Sequence, residues 1–256
     1  MENRSVELYI MLTRCLYRDI IKKSDSMEIG GDGVERKTLY HGSADIIEKP
    51  EFGKGKKHND YGPGFYCTEN IELAKEWACT EGQNGYANQY EIDLENLRIL
   101  NLADGNYTIL HWLALLVKHR RTRLATPTLQ RGADWLLKHY LIDVQEYDIV
   151  IGYRADDSYF SFARAFLSNQ ISLEQLSYAM RLGKLGEQVV LISREAFVRV
   201  QYVSNEIADT TKYFSMRMTR DDEAREAYRK VLETEDENGV FMRDLIRGGV
   251  KPDAGI

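Results

Sequence analysis

The sequence is poor in the residues that build disulfide or metal frameworks. Its three cysteines, Cys15, Cys67 and Cys79, are odd in number and include no CxxC pair. This usage argues against a disulfide framework and against a cysteine-rich zinc site, and it makes a reducing cytoplasm the expected compartment. His111 and His119 lie eight residues apart, and no third ligand accompanies them. We therefore predict no metal site.

The chain also lacks a strong positive charge and a long hydrophobic run. Its 34 lysines and arginines are outnumbered by 40 aspartates and glutamates, which gives a net charge of −6. That balance argues against nonspecific nucleic-acid binding as the main activity. Arg14, Arg18 and Asp19 interrupt the first apolar stretch. We expect neither a signal peptide nor a membrane-spanning segment.

The chain does have enough apolar material for one sizeable core, because 43% of its 256 residues are hydrophobic. Apolar residues at helical spacing predict an amphipathic helix over residues 5–23, which either caps the core or docks a partner protein. We divide the chain into an N-terminal helix and linker (1–33), a main domain (34–207) with a helical insertion at 107–143, and a C-terminal helical extension (208–256).

Two short motifs stand at predicted strand ends. The first is Tyr40–Ser43, with the sequence YHGS, and the second is Asp60–Tyr66, with the sequence DYGPGFY. Glycine lets a ligand approach the backbone closely, and an aromatic ring beside free N–H and C=O groups suits a planar amide or heterocycle. The alternative is two ordinary turns, with a structural histidine and a tyrosine that belongs to the core.

The rest of the pattern alternates short strands with amphipathic helices. Asn70 is placed to cap one helix, Pro127 to open another, and Ser172–Gln175 forms a capping box before a third. The apolar residues 107–119 predict a buried helix that pairs with the Pro127 helix beside the ligand cleft. A charged helix is predicted over residues 221–233, with inward side chains Ala224, Tyr228, Val231 and Leu232.

Two further stretches allow more than one interpretation. The loop Pro50–Lys57 carries three lysines and two glycines, which suits either a phosphate group or a solvated surface. Asp156 and Asp157 follow the predicted strand 147–153. Together they could hold a substrate group or a metal, or Asp157 or Ser158 could cap the next helix. We favour a capping role for one of the two aspartates and leave the role of the other open.

With a third strand beginning at Glu187, the chain resembles the ADP-ribosyltransferase superfamily, in the His-Tyr-Glu branch of poly(ADP-ribose) polymerases and diphtheria-type toxins. The similar residues are Tyr40–Ser43, Gly62–Thr68 and Glu187–Leu191, which stand in this order at strand starts and ends. The chain is more closely similar to an uncharacterised bacterial family in the same superfamily. The resemblance spans roughly residues 37–203 and includes Asp156 and Asp157.

The resemblance implies an α+β fold, in which two small, mostly antiparallel sheets pack together around an NAD cleft with helices outside. It implies that Gly42 and Gly64 lie against NAD, that the Gly42 backbone and the Ser43 hydroxyl hold the nicotinamide carboxamide, and that Tyr66 and Tyr61 sandwich the nicotinamide ring.

The same resemblance implies that His41 holds a hydroxyl of the adenosine ribose. Glu187 would face the cleft, bind the 2′-hydroxyl of the nicotinamide ribose and stabilise an oxocarbenium-like transition state. The catalytic residues would thus be His41, Tyr66 and Glu187. Gln188 competes for the Glu187 position, because a slip of one residue along the strand exchanges the two.

The function that the resemblance implies is an NAD-dependent mono-ADP-ribosyltransferase, bacterial or phage-borne and toxin-like, which uses NAD as substrate and needs no metal. The acceptor is unknown, and a macromolecule is favoured over a small molecule. An NAD glycohydrolase on the same site is one alternative. A non-catalytic module that binds NAD or a partner protein is another.

Overall fold

The computed structural model describes residues 36–120, 125–155, 157–182, 186–234 and 236–248. The predicted helix over residues 5–23 lies outside the described residues. Within the described part the strands are β1 (Arg36–Ser43), β2 (Phe65–Cys67), β3 (Gly85–Asp93), β4 (Ile99–Asn101), β5 (Ile149–Tyr153), β6 (Glu187–Leu191) and β7 (Val200–Ala208). The helices are α1 (Ile71–Ala78), α2 (Ile109–His119), α3 (Pro127–Tyr140), α4 (Asp157–Leu167), α5 (Leu173–Leu182), α6 (Arg194–Arg199), α7 (Thr210–Glu233) and α8 (Met242–Ile246), with a short 3-10 turn at Val144–Glu146.

The strands form two small sheets, so the α+β class predicted from the sequence is confirmed. One sheet has the order β1-β3-β7, with every neighbouring pair antiparallel. The other has the order β2-β6-β5-β4, and only β4 and β5 run parallel. A parallel pair needs a long crossover, and here the connection carries α2 and α3. The sheets meet at β1 and β2, where Tyr40 and Thr68 exchange backbone hydrogen bonds of 2.8 and 2.9 Å.

Of the three hydrophobic clusters among the described residues, the two larger ones hold this arrangement together. The smaller of these two combines Leu39 and Tyr90 of the first sheet with Cys67 and Val189 of the second, and it therefore packs the two sheets against each other. The larger one lies on the opposite face of the second sheet and includes Trp112 and residues of α2, α3, α4 and α5. The α2–α3 pair thus packs mainly in the larger cluster. In this part of the described chain, Arg120, just after α2, lines the cleft.

The helix starts predicted from capping residues are confirmed. The Asn70 side chain accepts hydrogen bonds from the backbone N–H groups of Glu72 and Leu73. Pro127 occupies the first turn of α3, which Thr126 caps. Ser172 and Gln175 form the reciprocal pair of hydrogen bonds that defines a capping box, at 3.1 and 2.9 Å.

The C-terminal helix α7 differs from its prediction. It begins at Thr210, eleven residues before the predicted start, because Asp209 accepts a hydrogen bond from Thr211 N at 2.8 Å and caps the helix there. Ala224 and Val231 are buried as predicted, whereas Leu232 is 42% exposed and its predicted inward position is wrong.

The helix α7 also connects distant parts of the chain. Near its middle, Arg220 forms a two-point ion pair with the buried carboxylate of Glu76 on α1. Further on, Tyr228 packs edge-to-face on Phe162 of α4, and the Gln175 amide of α5 donates to the Val231 carbonyl. Across the described ranges, no helix is both long and apolar enough to cross a membrane.

Candidate functional site

A cleft of about 1100 Å³ opens where the edges of the two sheets meet. Its walls come from β1, the loop leading to β2, the C-terminal half of α1, the residues after β5 and one face of α7. This volume lies just above the range of roughly 300–1,000 Å³ found for small-molecule sites. Of the site residues predicted from the sequence, His41, Gly64, Tyr66 and Gln188 line the cleft.

The edge of β1 continues past Tyr40 to Gly42, which follows His41 of the cleft lining. Tyr40 turns both of its backbone groups towards Thr68, and alternation along an antiparallel strand directs the N–H and C=O of Gly42 to the same side. A Cβ atom at Gly42 would overlap the carbonyl of Ala74 in α1. The glycine is therefore required for packing against the helix, whereas a ligand would meet only its backbone.

His41 is held in one tautomer. Its Nδ1 lies 2.7 Å from the Tyr66 carbonyl oxygen, which only accepts hydrogen bonds, so Nδ1 carries the proton. Burial lowers the pKa of His41 below its ordinary value, and the hydrogen bond to Tyr66 partly opposes this effect. The neutral ring stacks on Phe65 with centroids 4.4 Å apart. Its Nε2 is therefore a hydrogen-bond acceptor in the cleft wall, which suits a ligand hydroxyl.

Tyr66 and Tyr61 occupy different environments. The Tyr66 hydroxyl donates to the Gly62 carbonyl at 2.7 Å and accepts from Tyr61 N at 3.0 Å, which fixes the half-buried ring beside the cleft. Tyr61 is only 1% exposed, and its hydroxyl donates to the Tyr153 carbonyl at 2.7 Å. The prediction that Tyr61 forms the second side of a ring sandwich is wrong, because Tyr61 belongs to the core.

The predicted roles of Ser43 and Gly64 also change. The Ser43 hydroxyl donates to the Asp45 carbonyl at 2.6 Å and accepts from the buried Asn88 amide at 3.0 Å. It is therefore occupied within the loop that follows β1 and does not line the cleft. Gly64 does line the cleft, but a Cβ there would overlap the Val190 side chain of β6. Packing, besides any ligand, requires this glycine.

Strand alternation separates Glu187 from Gln188. Val190 pairs with Tyr66, so the Gln188 side chain shares the face of the sheet that carries Tyr66. Glu187 points to the other face, and among the described residues of the cleft lining Gln188 is present and Glu187 is not. The expectation that Glu187 faces the cleft is thus corrected. The two residues lie on opposite faces because side chains alternate along a strand.

The surroundings of Glu187 explain its electrostatics. Among the described residues, the charged groups that act on the Glu187 carboxyl are Glu69 and Lys37, which form a 2.6 Å ion pair with each other. The pKa of Glu187 is raised because neighbouring residues restrict its hydration and because the Glu69 carboxylate repels a second charge, while Lys37 opposes the shift. The catalytic role predicted for Glu187 stays a prediction, and Gln188 is the geometric alternative.

The residue that the sequence reasoning missed is Asp60. Its carboxylate is buried and accepts from Arg120 Nε at 2.7 Å, from Ala155 N at 2.9 Å and from Gln188 Nε2 at 2.9 Å. Arg120 also donates to the Ala155 carbonyl. Asp60 therefore joins the loop before β2 to the end of α2, the turn after β5 and the start of β6. The position of Asp60 in the DYGPGFY motif was a sequence feature that could have indicated a role in the site. Nothing in the sequence around Arg120 indicated its contact with Asp60.

The cleft is more basic than the chain as a whole. Within the described part of its lining, eight lysines and arginines face five aspartates and glutamates, although the whole chain has a net charge of −6. Lys49, just before the loop Pro50–Lys57, and Lys56 within it form no ion pair with any described residue. A cleft with an excess of cations favours an anionic ligand such as a diphosphate.

Helix α7 supplies one wall of the cleft with Phe214, Arg217, Met218 and Asp221, which fall at the helical spacing of a single face. On the facing wall the Arg154 guanidinium lies 4.7 Å from the ring centroid of Trp77. Sequence reasoning gave α7 no part in the site. Of the predicted aspartate pair, Asp156 lies outside the described residues, and Asp157 begins α4.

The described residues contain no group of three or more histidine, cysteine, aspartate or glutamate side chains that is arranged to hold a metal ion. The Nδ1 atom of His111 accepts from Thr108 N at 3.0 Å at the start of α2. A Cβ at Gly62 would overlap the His119 ring, which therefore packs against the turn before β2.

Comparison with known proteins gave one match. No curated protein and no solved structure matches the chain. A family model matches residues 37–202, which is more than half of the chain and runs from β1 into β7. The match includes the motifs that line the cleft and ends before α7. The chain therefore belongs to the family described as protein of unknown function (DUF3990).

Proposed function

We propose that the protein is an NAD-dependent mono-ADP-ribosyltransferase, which releases nicotinamide and transfers ADP-ribose to an acceptor. One observation carries this proposal: the edge of β1 that faces away from β3 continues past Tyr40 to Gly42, and the neighbouring His41 lines a cation-rich cleft together with Tyr66. A backbone donor and acceptor side by side match a carboxamide, an aromatic ring matches the pyridine, and the cations match the diphosphate.

Each residue then has a role that follows from its contacts. The N–H and C=O of Gly42 bind the nicotinamide carboxamide, while the ring of Tyr66 packs on the heterocycle. The unprotonated Nε2 of His41 accepts from a ribose hydroxyl. Lys49 and Lys56 line the cleft on the segment that leads to β2, and they neutralise the phosphates. Burial raises the pKa of Tyr66, so this hydroxyl stays neutral and keeps its ring in place.

The cleft residue nearest to the predicted carboxylate position is Gln188. Its amide oxygen is able to accept from the 2′-hydroxyl of the nicotinamide ribose and to direct a partial negative charge at the cation that develops when nicotinamide leaves. An amide carries less charge than a carboxylate, so this contribution to rate is smaller than that of a glutamate at the same place. We accordingly expect slow turnover.

The test uses NAD that is labelled in its adenylate half. The full chain is incubated with this substrate and with separate protein, nucleic-acid and small-molecule acceptors, and free nicotinamide and labelled acceptor are both measured. Tyr66→Ala should reduce both signals, since NAD loses its stacking partner. Tyr178→Ala is the matched control, because Tyr178 is 57% exposed on α5 and away from the cleft. Nicotinamide release with free ADP-ribose, and no labelled acceptor, would identify an NAD glycohydrolase instead.

A second function is favoured by one specific observation. The cleft carries the amide of Gln188 on the strand where the resemblance implies a glutamate. A protein with this replacement is expected to bind NAD without cleaving it. Calorimetry separates the two functions, because such a binding module gives a saturable heat with NAD and no nicotinamide, whereas a transferase gives both. Absence of NAD binding in the wild-type protein would refute both.

A further inference from the structure

Both oxygens of the Asp60 carboxylate accept hydrogen bonds from groups inside the protein. One oxygen accepts from the Arg120 guanidinium, and the other accepts from the Ala155 backbone and from the Gln188 amide, at distances between 2.7 and 2.9 Å. Asp60 and Gln188 are each 4% exposed. A buried carboxylate with charge-assisted hydrogen bonds on both oxygens has little freedom to rotate.

This arrangement determines which way the Gln188 amide points. A carboxylate only accepts hydrogen bonds, so the group of Gln188 that faces Asp60 must be its NH2. The amide oxygen Oε1 therefore points away from Asp60. No described residue donates a hydrogen bond to Oε1. Among the described residues, the side-chain N and O atoms that are buried without a partner are Trp77 Nε1 and Ser177 Oγ, so Oε1 of Gln188 is accessible to solvent. Because Gln188 lines the cleft, this free acceptor belongs to the cleft surface.

We propose that Asp60 is a positioning residue, which holds the Gln188 amide so that its oxygen faces the cleft and accepts a hydroxyl of the bound substrate. The identity of that hydroxyl as a ribose hydroxyl rests on the proposed function. The orientation of the amide rests only on the contacts of Asp60. Asp60 binds the NH2 group of the Gln188 amide, and the amide oxygen is thereby left facing the cleft as a hydrogen-bond acceptor.

The substitution Gln188→Glu tests this arrangement through pH. When ionised, the introduced carboxylate would place a second negative charge beside Asp60 Oδ2, and like charges at this distance strongly raise one of the two pKa values. When protonated, the introduced carboxylic acid would donate its O–H to Asp60 and present its C=O to the cleft, as the amide does. The other titratable or charged groups near position 188 are Tyr66, Arg120, Arg154 and His41 in the cleft wall and Tyr61 in the adjoining core.

The experiment measures NAD affinity of wild type, Gln188→Glu and Gln201→Glu at pH 5.5 and pH 8 by calorimetry. Each variant is compared with wild type at the same pH, so that titration of His41 cancels. Gln201 is exposed on β7, which makes Gln201→Glu the control for the same change of charge. For Gln188→Glu we expect an affinity about tenfold or more below wild type at pH 8, and within about threefold of it at pH 5.5. An equal loss at both values, or none at either, would overturn the proposal.

A second measurement needs no NAD and separates this proposal from the proposed function. The Tm of Gln188→Glu should lie about 5 °C or more below that of Gln201→Glu at pH 8, and the difference should close at pH 5.5. If wild type binds no NAD, the proposed function fails and the Tm comparison still decides the role of Asp60. A Tm difference that is independent of pH would show that Asp60 does not share its charge with position 188.

Discussion

Replacing Tyr66 by phenylalanine separates the hydroxyl of this residue from its ring. The hydroxyl donates to the Gly62 carbonyl at 2.7 Å and accepts from Tyr61 N at 3.0 Å. Its removal leaves one backbone acceptor and one backbone donor without partners in a largely buried turn. Each such group costs about 1–3 kcal/mol when fully buried, and partial access of water places the sum at about 2–3 kcal/mol.

The ring should account for most of the ligand contact. Tyr66→Phe keeps the ring, so we expect NAD affinity within about threefold of wild type, whereas loss of the aromatic contact in Tyr66→Ala should cost about 1 kcal/mol or more. The turn that precedes β2 loses two of its hydrogen bonds in both variants. The hydroxyl is thus predicted to stabilise the fold and the ring to contribute to binding.

Urea unfolding followed by circular dichroism gives the free energy, with the unfolding slope expected to stay constant. Tyr178→Phe on the exposed face of α5 is the matched control, and it should change the free energy of unfolding by less than about 0.5 kcal/mol. A Tyr66→Phe protein as stable as wild type would show that the hydrogen bonds of the hydroxyl do not hold this turn. A large loss of NAD affinity with unchanged stability would reverse the two assignments.

Three further outcomes follow from the same geometry. Glu187→Gln should leave nicotinamide release within about threefold of wild type. It should also raise stability slightly at pH 7, because it removes a charge whose hydration is restricted and which the Glu69 carboxylate repels. A hundredfold loss of release would restore the catalytic role first predicted for Glu187. Gly42→Ala should lower the free energy of unfolding by about 1–3 kcal/mol or prevent folding, since its methyl group meets the backbone of α1, and urea titration measures this. Wild type should lose stability as pH falls below about 6.5, because His41 then binds a proton in the unfolded chain but not in the folded protein. The slope of stability against pH should flatten in His41→Gln. Equal slopes in the two proteins would contradict the lowered pKa assigned to His41.

The elements that local chemistry specifies could be predicted from the sequence. Asn70, Pro127 and the Ser172–Gln175 box act on backbone groups within a few residues of themselves, so their effect is visible in a short window. The α+β class also agrees with prediction. The α7 start was missed because apolar periodicity is weak there, and the Asp209 cap received no weight.

The side-chain environment of the cleft depends on contacts between residues far apart in the chain. Asp60 meets Arg120 and Gln188 across separations of 60 and 128 residues, and no local pattern encodes such a contact. Tyr61 and Tyr66 look alike in sequence, yet only the packing of the large cluster places one in the core and the other beside the cleft. The difference between Glu187 and Gln188 is a choice of strand face, which depends on the pairing of β6 with β2.

The position of β6 inside its sheet has a consequence for synthesis of the protein. Strand β2 is made early, yet its described partner within the sheet is β6, which begins 120 residues after Cys67. While the chain grows on the ribosome, Phe65 and Cys67 therefore remain exposed as an unpaired apolar edge until Leu191 has emerged. A closure of this length is a slow, non-local step, and an unpaired strand is prone to aggregate while it waits. The second sheet is therefore completed late in synthesis, and only then do Gln188 and Tyr66 come to lie on the same face of that sheet.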